Sequence, residues 1–253
     1  MKIDVIVTSH GRPELLARCL GSLMVQTRPP TRIILCNDDG DREVRRVAAE
    51  TLRPQDVFLS VPHLRGPAGT RNLGIETTMA DWFVFLDDDD TFAPDYLAQA
   101  EPHLAGCTNA IPYCNYHVVR ESHDGEVQKV VRHGLGRHDP ALLPLRNFIP
   151  IGAYFVPAAL GDLRFDPSLK QVEDWDYLLS LTGRLPLRHC NFQGSRYHKR
   201  EADKTTRRSS GAQDREESVF RILERHPSGD PAIAGLQRKR IKRLRRSLSE
   251  IAP

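Results

Sequence analysis

Four short and almost wholly apolar runs, each followed by a stretch that favours helix, occupy the first hundred residues. They are Ile3 to Thr8 (IDVIVT), Arg32 to Asn37 (RIILCN), Asp56 to Val61 (DVFLSV) and Trp82 to Asp87 (WFVFLD). Runs of this kind do not alternate polar with apolar residues, so both of their faces are buried. With helices between them, they predict a parallel sheet covered on both sides. The first helix opens at Pro13, with Leu15, Leu16, Cys19, Leu20 and Leu23 at helical spacing. Further helices are expected over Asp41 to Leu52, near Thr70 to Met79 after a Gly/Pro-rich loop, and from Pro94. Right-handed crossovers bring the ends of all four strands to one rim, where open α/β sheets bind their ligands.

The second half is less regular. Ile111 to Val119 and Val127 to His133 flank Asp124-Gly125 and read as a hairpin. Asn147 to Val156 reads as another strand. A helix is expected over Asp174 to Leu181, with Trp175, Leu178, Leu179 and Thr182 on one face. Beyond His198 come a polar stretch from Arg200 to Asp214, a helix ending near His226 and a last, basic helix. No internal repeat is visible. The chain divides on this reading into residues 1–105, a first half with the regular rhythm; residues 106–198, a second half of the same domain; and residues 199–253, a basic helical extension.

A chain of 253 residues, 40% of them apolar, can bury a core without disulfides or a structural metal. Five cysteines (Cys19, Cys36, Cys107, Cys114, Cys190) with no Cys-x-x-Cys indicate neither a disulfide framework nor a zinc ribbon. The longest apolar run, Ile149 to Leu160, is broken by Pro150 and Pro157 and is shorter than the roughly 18 residues of a membrane span. The N-terminus does not read as a signal peptide, and a soluble cytoplasmic protein is expected. The net charge of +3 hides an asymmetry: residues 1–195 sum to −5 and residues 196–253 to +8.

The sharpest chemical feature is FLDDDDTFAP, four adjacent carboxylates at a strand end. Like charges at such spacing repel by about 1 kcal/mol per pair even in a water-like dielectric. Solvent or a divalent cation must relieve them, and hard oxygen ligands suit Mg2+ or Mn2+. The plainer reading is a turn in which Asp90 or Thr91 caps the following helix. Asn37-Asp38-Asp39-Gly40 also follows a strand, and a carboxylate there commonly accepts from a ribose or a base; an Asp-Gly turn explains the same residues. In GPAGTRNLGIE, Arg71 at a helix start would hold a phosphate, helped by the helix N-terminus. In VEDWDYLLSL, Glu173 and Asp174 serve either as first-turn acids or, for Asp174, as a general base. His198 could offer an imidazole to manganese.

Taken in order, these segments resemble family-2 glycosyltransferases of GT-A fold, from Lys2 to about Leu181. Thr8-x-x-x-Arg12 and the RPELLARCLGSLMVQTRPP that follows match the family's opening. The Asn-Asp-Asp-Gly, Gly-x-x-x-x-Arg-Asn, Phe-Leu-Asp-x-Asp-Asp and Glu-Asp-Trp-Asp segments come after it. The resemblance implies that residues 1–105 are the nucleotide-sugar-binding half and residues 106–198 the acceptor-side half, with a nucleotide pocket lined by Thr8 and Arg12 and Asp38 or Asp39 reading the base or ribose. Arg71 would approach the diphosphate. Asp87 and Asp89 would form the Asp-x-Asp motif, with Asp88 and Asp90 beside them, Asp89 the direct ligand of Mn2+ or Mg2+ and His198 a third contact. Asp174 would be the base of an inverting displacement from a UDP-sugar, in polysaccharide or glycoconjugate biosynthesis. The acceptor, whether glycan, lipid-linked or small, is left open.

Arg238 to Arg246 (RKRIKRLRR) carries seven basic residues, with Ile241, Leu244, Leu248 and Ile251 at helical spacing. Such a helix can pack its stripe on the body or lie on an anionic bilayer. Without interleaved aromatics, nucleic acid is the weaker partner. Two other functions compete with the transferase: a non-catalytic binding module using this tail, and a sugar-1-phosphate nucleotidyltransferase. The second lacks its Gly-x-Gly-x-Arg loop, since that place reads TSHGRPELL.

Overall fold

The computed structural model describes residues 1–61, 66–200 and 211–251. The expected βα rhythm is present: β1 (Ile3–Ser9), α1 (Pro13–Met24), β2 (Arg32–Asn37), α2 (Arg42–Thr51), β3 (Val57–Ser60), α3 (Gly66–Thr77) and β4 (Trp82–Asp87). Strands β3, β2, β1 and β4 lie side by side in that order and run parallel. Helix α1 starts with Pro13 in its first turn and buries Leu16, Cys19, Leu20 and Leu23. Asp41 caps α2, its carboxylate accepting from the backbone of Glu43 and Val44, a contact worth about 1 kcal/mol.

Helix α3 lies unusually close to the sheet because Gly74 faces Ile6. A Cβ at Gly74 would stand 2.3 Å from the Ile6 side chain. The helix begins at Gly66, earlier than the sequence suggests, so Arg71 sits in its second turn and not at its start. The expected partnership of Arg71 with the helix N-terminus is therefore corrected: Gly66 and Pro67 occupy that end.

After β4 come a two-residue strand β5 (Thr91–Phe92) and α4 (Tyr96–Leu104), whose N-cap is Asp95. The run does turn, Asp90 N–H donating to the Asp87 carbonyl at 3.0 Å, but neither Asp90 nor Thr91 caps a helix. The hairpin of β6 (Ile111–Glu121) and β7 (Val127–His133) forms as expected, with Gly125 at φ +84° in its turn. Asn147 to Val156 is not a strand. Pro150 lacks an N–H for a ladder, and the segment folds into a short 3-10 turn at Ile151–Ala153. Only β8 (Val156–Pro157) pairs with β4, antiparallel, at the edge of the first sheet.

Helix α5 (Glu173–Thr182) leads into β9 (Leu187–Arg200), a 14-residue strand that the sequence reading did not anticipate. It runs parallel to β6 and antiparallel to β5, giving a second sheet ordered β5-β9-β6-β7. Gly194 lets β9 pass over α4, since a Cβ there would meet the Tyr96 side chain at 2.2 Å.

Helices α6 (Ala212–Arg225) and α7 (Pro231–Ile251) complete the chain and join the same continuous core through Val219, Ile222, Leu223 and Leu244. Most of the polar stretch expected from Arg200 to Asp214 lies outside the described residues. All five cysteines are free and buried. Among the described residues, no helix is long and apolar enough to cross a membrane.

Candidate functional site

In a sheet ordered β3-β2-β1-β4, the direction of strand addition reverses between β1 and β4, and a crevice opens there beyond the strand ends. Thr8 on β1 stands opposite Asp87 on β4. The Thr8 hydroxyl donates to Asp87 Oδ1 at 3.1 Å. The four aspartates splay from this point. Asp88 is fully buried, accepting from the His10 backbone at 3.1 Å and from Arg12. Asp89 accepts from Arg12 Nη1 at 2.8 Å. Asp90 turns inward and accepts from the His198 backbone at 2.8 Å.

Repulsion within the run is thus relieved in two ways. For Asp87, burial is outweighed by Arg71, which holds its carboxyl below the usual range. Burial, opposed by Arg12 and aided by Asp89, pushes Asp88 up to about 6. Burial together with Asp89 and Asp87 pushes Asp90 well above the ordinary value. Asp87, Asp89 and Asp90 each offer an oxygen, and these oxygens lie within 4.8 Å of one another. Three hard donors at that separation, one of them a buried acid short of counter-charge, fit a divalent cation of the Mg2+ or Mn2+ type.

Arg71 is the pivot of the site. Its guanidinium donates to Asp87 Oδ1 at 2.8 Å and to Glu173 Oε1 at 2.6 Å, and it lies 5.4 Å from the ring centre of Phe165. The sequence reading treated Glu173 only as a first-turn acid. Its adjacency to Asp174 was the available signal, but the partner lies 102 residues away.

Asp38 and Asp39 are placed differently. Asp39 Oδ1 is used locally, accepting from the Asn37 side chain and the Asp41 backbone, so it builds the turn. Asp38 faces the crevice, where one oxygen meets His10 Nδ1 at 2.6 Å and the other accepts from Thr70 at 3.4 Å. The bond to Asp38 raises the His10 pKa. No motif marked His10 in the sequence.

Asp174 opens α5 next to Glu173. Its Oδ2 accepts from Asn147 Nδ2 at 3.0 Å. Burial, and then the neighbouring Glu173 charge, push its carboxyl up to about 6. Asn147 belongs to the segment misread as a strand and was missed for that reason.

His198 is placed near the aspartates by β9, but its ring is engaged elsewhere. Nε2 meets the Thr91 hydroxyl at 2.8 Å and Nδ1 meets Glu121 at 2.7 Å. Burial lowers its pKa. In this arrangement neither ring nitrogen is turned to the Asp87–Asp89–Asp90 cluster. Glu121 is buried and also binds Arg18 and Arg200, so the ring belongs to a brace between β6 and β9.

Two clefts meet here. One, of about 500 Å3, is lined by Thr8, His10, Arg12, Asp38, Thr70 and the start of α3 at Gly66 and Pro67. The other, of about 870 Å3, lies against the second sheet and is lined by Asp174, Asn147, Tyr116 and Tyr197 among others. Arg71, Asp87 and Glu173 line both. Sites that must bring two reactants together have this form, with a shared wall where the reacting atoms meet.

Known proteins give the arrangement its context. The profile of Glycosyl transferase family 2 matches residues 4–138. The uncharacterized glycosyltransferase YwdF of Bacillus subtilis is 23% identical over 234 residues, covering 91% of this chain and 86% of its own. The uncharacterized glycosyltransferase RC0461 of Rickettsia conorii is 25% identical over 134 residues, which is 53% of this chain but only 22% of the relative. The crystal structure of S. aureus TarS 1-349 in complex with UDP-GlcNAc superposes with a TM-score of 0.69 at 16% identity, covering 100% of this chain and 74% of that one. At that identity the likeness speaks for the fold. With more than half of its length matched by the family profile, the chain belongs to glycosyl transferase family 2 and has the GT-A fold of that family's enzymes.

Proposed function

We propose that this protein transfers a sugar from a nucleotide-diphospho-sugar to an acceptor hydroxyl by a single inverting displacement that depends on a divalent metal. The observation that carries the reading is the meeting of two clefts at Arg71, Asp87 and Glu173. Asp89 lines the smaller cleft and Asp174 the larger one, with Asp87 on the wall they share.

The 500 Å3 cleft takes the nucleotide. Thr8 and Asp38 meet base and ribose, while Arg12 and the N-terminus of α3 face the diphosphate. UDP is the default nucleotide, supported by the UDP-GlcNAc bound to TarS. Asp89, with Asp87 and Asp90 beside it, would hold Mn2+ or Mg2+, and Asp88 stays with Arg12. His198 would join them only by giving up Thr91 or Glu121. When bound, the metal supplies positive charge for the departing diphosphate. Arg71 contributes by fixing Asp87 and Glu173, and its own charge faces the same region.

On the acceptor side, Asp174 removes the proton of the attacking hydroxyl. A carboxyl near 6 is ionised at neutral pH yet a stronger base than an ordinary one. Asn147 donates to its Oδ2, and the backbone of Trp175 also donates to the carboxylate. The new bond forms at the anomeric carbon, the bond to the diphosphate oxygen breaks, and the proton stays on Asp174.

The reading also places the enzyme in the cytoplasm, at the inner face of the membrane. Helix α7 turns Leu244 and Ile241 onto the body. Arg238, Lys239, Lys242 and Arg243 face outward. Attachment to an anionic bilayer would therefore rest on charge alone.

The test is calorimetric titration of the protein with UDP, GDP and dTDP, each with Mn2+ and again with EDTA. Metal-dependent binding of one nucleotide is expected. No binding of any of them would overturn the proposal and favour a non-catalytic module.

A further inference from the structure

Asp174 stands between two stretches of chain that belong to no strand or α-helix. Residues 143–150 bring Asn147 to its carboxylate, and residues 161–172 lead into α5. The second stretch ends in strain. Val172, the residue before Glu173, has φ +54° and ψ +26°. Among the described residues it is the only one other than glycine with positive φ. A β-branched residue rarely adopts this left-handed conformation, which persists only where the surroundings impose it. The Val172 carbonyl accepts from the backbone of Trp175 at 3.1 Å and of Asp176 at 3.4 Å, so the strained residue sets the first turn of α5, where Asp174 sits.

Helices α6 and α7 hold both stretches. From α6, Arg221 donates to the Ser168 hydroxyl at 2.8 Å and Arg225 to Asp166 at 2.6 Å. Arg225 also donates to Asp176 at 2.9 Å, and the ring of His226, just past the helix, meets the other Asp176 oxygen at 2.9 Å. Asp176 is buried on α5, two residues from Asp174. From α7, Gln237 donates to the Pro144 carbonyl at 3.1 Å and Arg240 donates to the Leu145 carbonyl. The preceding carbonyl, of Leu143, accepts from the Trp175 indole at 2.8 Å. The Arg240 guanidinium lies 5.9 Å from the centre of that indole. Three consecutive carbonyls are thus held, and Asn147 follows two residues later.

Gln237 is the exception on its face of α7. It is buried in line with Ile241 and Leu244, which pack on the core, and a face that had only to pack would carry another apolar residue there. Its amide instead meets three backbone groups: the carbonyls of Pro144 and His226 and the N–H of Ser228. Such bonds are directional, so they fix where α7 sits along residues 143–145 in a way that apolar contact does not.

Given the reading of Asp174 as the base, we propose that Gln237 and Arg240 are positioning residues for it and that α6 and α7 form a clamp on that side of the site. Gln237 and Arg240 act through Pro144, Leu145 and Asn147. Arg221, Arg225 and His226 act through the entry to α5. None of the five lines either cleft. The smaller cleft is lined by residues 8–89 and by Glu173, which Arg71 holds separately. Loosening the clamp therefore spares nucleotide binding and slows the chemical step.

The test uses the full chain as R240M and as Q237L/R240M, both replacements being good helix formers. UDP affinity in Mn2+, amide hydrogen exchange, and UDP release from UDP-GlcNAc or UDP-glucose with water as acceptor are measured on each. Exchange at Trp175 and Asp176 is expected to rise about tenfold or more, while β1 to β4 stay protected as in the wild type. UDP affinity and donor KM should be unchanged and kcat should fall about tenfold or more, since small misplacements of a reacting group are costly. R240K should restore most of the loss. Wild-type exchange in the first turn of α5 overturns the proposal. So does faster exchange with kcat unchanged, because the clamp is then structural only. If the wild type releases UDP from neither donor, exchange decides alone. If the double variant loses protection across β1 to β4, R240M, at a half-buried position, decides. D174N keeps the two readings apart: unchanged UDP release in that variant removes the base, whereas exchange reports on the clamp whatever Asp174 does.

Discussion

Arg71 reaches across from α3 to Glu173 at the start of α5, and the 2.6 Å contact fastens the end of the first sheet to the helix that carries Asp174. The same guanidinium holds Asp87 at 2.8 Å. The buried Arg71 therefore ties the Asp87–Asp89–Asp90 cluster to the helix that carries the proposed base.

Replacing Arg71 with Met should leave two carboxylates facing each other without counter-charge. Breaking a buried pair by removing one partner typically costs about 3–5 kcal/mol. The lower end applies here, because the Asp87 side chain is 30% exposed. Urea unfolding should show the loss, and an unshifted midpoint would remove Arg71 from this role.

Asp174→Asn should retain nucleotide binding and lose transfer by about a hundredfold or more, the usual contribution of a positioned base. Titration with UDP separates binding from turnover. Unchanged turnover in this variant would sink the assignment of the base.

The pH dependence has a definite sign. Asp174 must be ionised to accept a proton, and its carboxyl stands at about 6. Activity should therefore fall as the pH drops through about 6. Asn147 donates to the charged form and so favours it. Asn147→Ala should move this acidic limb to higher pH, and a limb that stays in place would deny Asn147 its positioning role.

Asp89→Ala should weaken nucleotide binding in Mn2+ while leaving the residual binding in EDTA unaltered. A ligand oxygen lost from a site of few carboxylates is felt directly in metal affinity. Equal affinities for variant and wild type in Mn2+ would exclude Asp89 as a ligand.

Membrane attachment through charge predicts that K239Q/K242Q/R243Q reduces sedimentation with phosphatidylserine vesicles, and that raised salt does the same to the wild type. Each removed charge near an anionic surface is worth about 1 kcal/mol. Salt-insensitive sedimentation would contradict a purely electrostatic contact.

The parallel sheet was legible because β1, β2 and β4 are buried on both faces, β3 at the edge only partly, and their apolar runs show no other period. The acidic motifs were legible because they end such strands. Beyond residue 140 the signals weaken for physical reasons. Asn147 to Val156 is apolar because it is buried, but Pro150 denies it a ladder. Strand β9 carries Arg188, His189, Gln193, Arg196 and Lys199, because much of it is only partly buried, and of these Lys199 lines the larger cleft. Pairs such as Arg71 with Glu173, or His198 with Glu121, join residues far apart in the chain and leave no local pattern.

The hydrogen bond from the His198 backbone to Asp90 has a consequence for how the protein is made. Asp90 is synthesised early, but the strand that turns its carboxyl inward is the last of the two sheets. Asp174, too, follows the whole of the segment that the family profile matches. A nascent chain halted near the end of that segment has all four parallel strands and most of the residues that line the smaller crevice. It would have neither a base nor a wall for the second reactant. Such a chain is a binder before it is a catalyst, and turnover begins only when translation has passed the end of β9.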